Sequence, residues 1–385
     1  MGNHDLTSQS VEDVTNLVKE ISLGAPESEG SSTHNATNGS GSKAPDSSFV
    51  EVRSAGDHGK GVFAVQDIAR GTRIISEAPL FVVQPASAPG VLEEHIEAFC
   101  TAVRALSVEG LETLDELWCD ESLPDSSREK AQEIIHRWHK KHGDEKGHKL
   151  NTRKLRRADS RAIKRFSIFL ANRMGMGRGR MYGQGLFPLH SRINHSCSPN
   201  VVSSYNPTID RLTVHTARDI KAGDEVLNEY TNGTFRKKID RQARMEFWGF
   251  VCQCNACTNP EEEALRDHMI DLEMSLMREN HPDLPNTSLE GSKEVARSPQ
   301  QALAVNEEIA AVLKHPTIDL QSISLCRIYR RCARLCLELD DFEKAKEYAL
   351  KELEIEEAVI GTETDHLSED LRGAKYWLEY LEGNF

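Results

Sequence analysis

Three cysteines within six residues, Cys252, Cys254 and Cys257 in C-x-C-x-x-C spacing, are the residues of this chain best placed to do chemistry. Thiolates two and three positions apart can reach one tetrahedral ion, and four sulfurs around Zn²⁺ make a closed structural site. The candidate fourth ligand is Cys197, 55 residues before Cys252, inside Arg192-Ile193-Asn194-His195-Ser196-Cys197-Ser198-Pro199-Asn200. An ion shared by all four would tie a C-terminal segment to that distant loop. Because the loop carries Asn194 and His195, the metal would build a pocket wall as well as staple the fold. Tyr230 lies between Cys197 and the cysteine cluster and is the candidate for the reaction itself.

These residues need elements to hold them. Phe49 to Val52 and Gly61 to Val65 read as strands around a turn at Gly56 to Gly61, and Thr72 to Ile75 and Leu80 to Val83 continue the pattern. From Gly90 to about Met174 apolar residues recur at three and four positions, as in Leu92, Ile96, Phe99, Val103 and Ile163, Phe166, Leu170, which predicts helices. Strands return as Val201 to Tyr205 and Arg211 to His215, a hairpin turning at Asn206-Pro207, and Glu225 to Leu227 leads to Tyr230. Beyond the cysteines the pattern is helical to the end, with a loop expected at 280–300. Ile323 to Leu339 and Phe342 to Ile360 read as an antiparallel helix pair joined at Asp340-Asp341. Such a pair suits either a stacked helical repeat or an ordinary helical cap. Residues 24–48, rich in Gly, Ser, Asn and Pro, read as disordered, with a marginal helix before them on the face of Val11, Val14, Leu17, Val18 and Ile21.

The length of 385 residues, 38% hydrophobic and 28% charged, points to a globular chain of two or three domains with no membrane span. The start lacks the basic-then-apolar order of a signal peptide, so a reducing intracellular location is expected and the nine cysteines read as metal ligands or thiols, not disulfides. Net charge is −14, yet residues 128–180 hold 17 Lys+Arg against 5 Asp+Glu. That basic stretch is either a solvated helical surface or a face for an acidic partner. A four-cysteine zinc knuckle on nucleic acid is disfavoured by the Asp, Glu and Asn around the cysteines, which suit a phosphate backbone poorly.

Taken in order, Gly59-Lys60-Gly61-Val62-Phe63-Ala64, Asn194-His195-Ser196-Cys197-x-Pro199-Asn200, Gly223-Asp224-Glu225-x-x-x-x-Tyr230 and Phe250-x-Cys252-x-Cys254-x-x-Cys257 resemble a SET-domain protein-lysine methyltransferase. With the helical tail, the chain is similar to the SET-and-MYND (SMYD-type) branch in a fungal-type form. The resemblance implies an α+β fold: a mostly β SET domain over 49–251 with a pseudoknot and a helical insertion at about 90–175, a zinc-binding post-SET segment at 252–260, and an all-α, TPR-like region at 261–385. It implies S-adenosylmethionine as methyl donor and a lysine of a protein substrate, a histone being one candidate, as acceptor. It assigns His58, Lys60, Gly61, Asn172, Asn194, His195, Tyr230 and Phe250 to cofactor binding, Phe250 by stacking on the adenine. It makes Tyr230 the catalytic residue, places Trp248 in the substrate channel, and gives the zinc to Cys197, Cys252, Cys254 and Cys257. Location follows as nucleus or cytoplasm, and a monomer with no nucleic-acid or membrane partner is expected.

Two departures from that family pattern matter. The stretch 85–165 carries only Cys100 and Cys119, too few for the two zinc sites of a MYND finger, so its partner recognition would fall to other residues such as the basic helices. Trp248 stands where the family often has Tyr, and its bulk favours one or two methyl transfers over three. The rival from another class is a non-catalytic scaffold built on the same SET core and helical tail.

Overall fold

The computed structural model describes residues 48–86, 91–119, 125–143, 148–176, 183–280, 298–362 and 374–383. The expected disordered tail, the helix before it and nearly all of the loop at 280–300 lie outside the described residues. The described chain is an α+β assembly in two compact units.

One unit comprises Glu77–Ser191 with Phe247–Gly249. It holds α1 (Leu92–Arg104), α2 (Val108–Asp115), α3 (Asp125–His142), α4 (Thr152–Asn172) and a three-stranded sheet of β4 (Phe81–Val83), β6 (Gln184–Leu186) and β5 (Arg173–Gly175) in that order. The periodic apolar positions form its core: Ile96, Phe99, Ile163, Phe166 and Phe169 are all buried. The Phe99 and Phe166 rings meet edge to face at 5.1 Å. A fully buried phenylalanine contributes about 1.5–3 kcal/mol relative to exposure, so this cluster dominates the unit. Side-chain caps start two helices. Ser107 accepts from the Gly110 N–H and Asn151 from the Lys154 N–H. Arg165 grips Asp115 with two bonds of 2.8 Å, tying α4 to α2. The helical stretch ends at Asn172, two residues before the expected limit. The chain passes directly into β5 there, while the Asn172 amide donates to the carbonyls of Ile168 and Trp118, both at 2.7 Å.

The other unit comprises, among the described residues, those at 48–76, 192–246 and 250–383. β1 (Val50–Ser54) and β2 (Lys60–Ala64) form an antiparallel hairpin, Val50 opposite Ala64 and Ser54 opposite Lys60. Its turn needs Gly59, whose φ is 76°. β10 (Glu225–Asn228) pairs antiparallel with β2 and parallel with β7 (Asn194–His195), giving the order β1-β2-β10-β7. A second sheet has the order β3 (Arg73–Glu77), β9 (Arg211–Thr216), β8 (Val201–Asn206). The β8–β9 hairpin spans the expected positions, and its turn is completed by Asp210 at φ 50°.

Short helices α5 (Lys238–Met245) and α6 (Asn255–Thr258) flank the cysteines. Then α7 (Pro260–Asn280), α8 (Pro299–Leu313), α9 (Ile323–Glu338), α10 (Phe342–Ile360) and α11 (Ala374–Leu381) pack each on the next. The expected α9–α10 pair turns at Asp340, φ 56°, with Asp341 capping α10. Arg331 holds Glu273 through two bonds of 2.7 Å, tying α9 to α7. α10 also lies on β8 and β9, so the tail shares its core with the sheets.

Candidate functional site

The site grows from the pairing of β7 with β10. Leu227 lies opposite Asn194 and Asn228 opposite His195. Parallel neighbours so short cannot persist on backbone bonds alone. Asn200 completes the junction: its side chain accepts from the Leu227 N–H at 2.7 Å and donates to the Glu225 carbonyl at 2.8 Å. Its own N–H donates to the Leu227 carbonyl at 3.1 Å. The loop that carries Asn194, His195 and Cys197 is therefore pinned to the strand that delivers Tyr230.

His195 is the hinge of the arrangement. Its Nδ1 accepts from the Tyr230 N–H at 3.2 Å, and its Nε2 lies 3.4 Å from the Cys197 sulfur. An Nδ1 that accepts is unprotonated, so the ring proton sits on Nε2 and points at the sulfur. Burial holds this imidazole neutral, with its pKa down to about 4. The ring lies 5.2 Å from that of Tyr230 and 6.1 Å from that of Phe250. The Tyr230 hydroxyl donates to the Ile193 carbonyl at 2.6 Å. Burial first, and the Glu225 charge second, push the phenol above its usual range. Tyr230 thus stays protonated and can position a group without removing its proton.

Asn194 donates through Nδ2 to the Glu225 carboxylate at 2.7 Å and to the Lys60 carbonyl at 3.3 Å. Its Oδ1 accepts nothing from the described residues and is left for a donor. Gly61 faces the same carboxylate. A Cβ on Gly61 would collide with Glu225 Oε1, so the small residue there makes room for Glu225. The open space is beside Gly59, where an added Cβ would meet nothing within 4 Å. His58 and Lys60 are exposed on either side of that glycine.

The four cysteines converge. Their sulfurs all lie within 4.8 Å of one another, Cys197 and Cys257 at 3.7 Å. Zn–S bonds of 2.3 Å in a tetrahedron imply S–S separations of about 3.8 Å, so the cluster has the dimensions of a zinc site. Its surroundings suit a negative metal–thiolate group. The Cys197 N–H donates toward Cys254 Sγ at 3.4 Å, and the buried Arg241 guanidinium approaches Cys257 Sγ at 4.0 Å. Hydrogen bonds from Cys197, Cys252 and Cys257 pull the Cys254 thiol down.

Under the cysteines lies a buried network. The Glu262–Arg266 pair, 2.9 Å apart and closed to solvent, joins the Ser198 hydroxyl and the Cys197 carbonyl, while Asn255 donates to Glu262 at 2.7 Å. It locks the start of α7 to the Cys197 loop.

The remaining expected site residues belong to the other unit and keep their own partners there. Asn172 caps the end of α4, as described above, and Trp248 donates through Nε1 to the Ala171 carbonyl at 3.0 Å. Glu225 and Asn200 stood inside quoted motifs with no role attached. Arg241, Glu262 and Arg266 lay outside the motifs, and only the i,i+4 spacing of Glu262 and Arg266 marked a pair.

Residues 59–231 match the SET domain family model. Among curated relatives, the histone-lysine N-methyltransferase set5 of Schizosaccharomyces pombe is 31% identical over 185 residues, covering 47% of this chain and 53% of the relative. The N-lysine methyltransferase SMYD2 of Homo sapiens is 26% identical over 175 residues, covering 44% of this chain and 40% of the relative. The chain thus matches about half the length of these relatives or less. Among solved structures, the SET domain of LSMT bound to lysine and AdoHcy aligns over 99% of this chain and 92% of its own, at 13% identity and a TM-score of 0.35.

Proposed function

We propose that this chain is a zinc-stabilised, S-adenosylmethionine-dependent protein-lysine N-methyltransferase. The observation that carries the reading is the assembly of Asn194, His195 and Tyr230, inside the residues that match the SET domain model, with Phe250 beyond them, around the β7–β10 pairing. The residues fit the cofactor. The unengaged Asn194 Oδ1 suits the ammonium of an amino acid, Phe250 offers a ring for an adenine, and the open side of Gly59 lets backbone come close. When bound, the cofactor supplies an electrophilic methyl group on a sulfonium.

The chain's contribution is placement. Tyr230 is anchored at both ends, by its N–H on His195 and its hydroxyl on Ile193, so its oxygen is a fixed acceptor for an incoming amine. Alignment of that amine is a proximity effect. Desolvation favours the neutral amine that has a lone pair to give. Cys197, Cys252, Cys254 and Cys257 would hold the zinc, which keeps His195 and hence Tyr230 in register.

The acceptor is a lysine on a protein, histone or non-histone; one relative is named for histone lysine and the other for lysine alone. Location is intracellular, in nucleus or cytoplasm, and the helical tail is a TPR-like domain. The test is transfer of radiolabelled methyl from S-adenosylmethionine to proteins of a cell extract and to purified histones. Label on lysine, lost with Tyr230→Phe, is expected. No label in any protein with a folded, zinc-loaded enzyme would leave the scaffold reading in its place.

A further inference from the structure

Some of the basic residues at 128–180 share one cleft. α3 and α4 pack together, and between them lies a cleft of about 710 Å³. From α4 the exposed Arg156, Arg161 and Lys164 line it, and among the described residues none of the three pairs with a carboxylate. The two acids in the lining differ. Asp159 is spent inside the protein: His136 Nδ1 and His139 Nδ1 each donate to one of its oxygens, both at 2.7 Å. Among the described lining residues that leaves Glu133 against these three cations, with Arg128 of α3 beside them, in a chain whose net charge is −14.

We propose that this α3–α4 cleft docks an acidic segment of a partner protein. Charge complementarity sets the sign of the occupant, since three cations sharing one concavity, with Glu133 the one unspent acid among its described lining residues, repel each other and attract an anion. Its class follows from the lining. Ile163 and Cys119 give the cleft an apolar floor, which suits side chains of a peptide better than a sugar-phosphate backbone. The Glu133 carboxylate and the acidic remainder of the chain disfavour a long polyanion such as nucleic acid. The inference is independent of the methyltransferase reading, because it uses none of that site's residues.

The test is fluorescence anisotropy of a labelled Glu/Ser peptide on the full chain, with a single-stranded oligonucleotide of equal charge as competitor. The triple variant Arg156→Glu/Arg161→Glu/Lys164→Glu is expected to weaken peptide binding about tenfold or more. Lys164→Glu alone should give part of that loss. The control Arg327→Glu/Arg334→Glu, two exposed cations on α9, should leave it unchanged. Binding should also weaken with added salt. The proposal is overturned by an absence of peptide binding, by equal loss in the control, or by an oligonucleotide that binds more tightly than the peptide. Circular dichroism of each variant separates a lost cleft from a lost fold.

Discussion

The Glu225 carboxylate accepts a 2.7 Å hydrogen bond from the Asn194 amide while occupying the space that a side chain at position 61 would need. One acid therefore couples the Gly59–Ala64 motif to the Asn194–Asn200 motif. It fixes which end of the Asn194 amide faces outward: with Nδ2 held by Glu225 and Lys60, Oδ1 is the acceptor on offer.

Breaking that coupling from either side should have the same consequence. Glu225→Ala frees the Asn194 amide to rotate, and Gly61→Ala pushes Glu225 away. A hydrogen bond to a charged group contributes about 1.5–3 kcal/mol, so each variant should bind S-adenosylmethionine at least tenfold more weakly. The double variant should lose little more than either single one, because both act on one contact. Calorimetric titration of the three variants checks this, and fully additive losses would separate the two residues.

Zinc should be inseparable from the fold around the Cys197 loop. Cys254→Ser is expected to lower the metal content and the melting temperature together, since structural zinc binding and folding are coupled. Stripping the metal with a chelator should increase hydrogen exchange at Asn194 to Asn200 more than in α9 and α10. Metal analysis of the purified chain with exchange mass spectrometry reads both effects.

Tyr230→Phe removes the hydroxyl that rests on Ile193 but keeps the N–H bond to His195, which is backbone. Cofactor affinity should stay within about twofold, while turnover should fall about 100-fold or more, the scale of a misplaced reacting group. A variant that loses affinity and keeps turnover would reverse the roles.

The helical tail should carry its own pH dependence. Burial pushes the Glu352 carboxyl up to about 8, against the pull of Arg330, which it shares with Glu356. A raised pKa means that the folded form holds a proton the unfolded chain releases near its ordinary value. The resulting stability is complete below about pH 4.5 and is lost as pH rises toward about 8. Melting temperature should fall across that window, and Glu352→Gln, which mimics the protonated acid, should flatten the fall. Unchanged slopes in the variant would remove Glu352 as the cause.

Much of this was legible in the sequence where a residue's role depends on local spacing. The β1–β2 and β8–β9 hairpins follow from strand patterns around turn residues, and the α9–α10 pair from helical periodicity broken at Asp340-Asp341. The convergence of Cys197 with Cys252, Cys254 and Cys257 was legible because thiol spacing and ordered motifs restrict the options. The tertiary couplings were not legible. Glu225 reads as an ordinary strand residue until Asn194 and Gly61 are seen on either side. Asn200 reads as a turn former, yet it acts as a substitute rung between the loop and β10. The reason for a small residue at Gly61, room for the Glu225 carboxylate, is one that only the neighbouring strand reveals. Arg241 and the Glu262–Arg266 pair look like solvated helix charges, whereas their burial against the cysteine loop comes from long-range packing.

The most direct test of the site is calorimetric binding of S-adenosylmethionine to the zinc-loaded chain, repeated with Asn194→Ala. The account predicts micromolar binding in the parent protein and its loss in the variant, with zinc content unchanged. No binding by a folded, zinc-containing protein, or binding indifferent to Asn194, would contradict it.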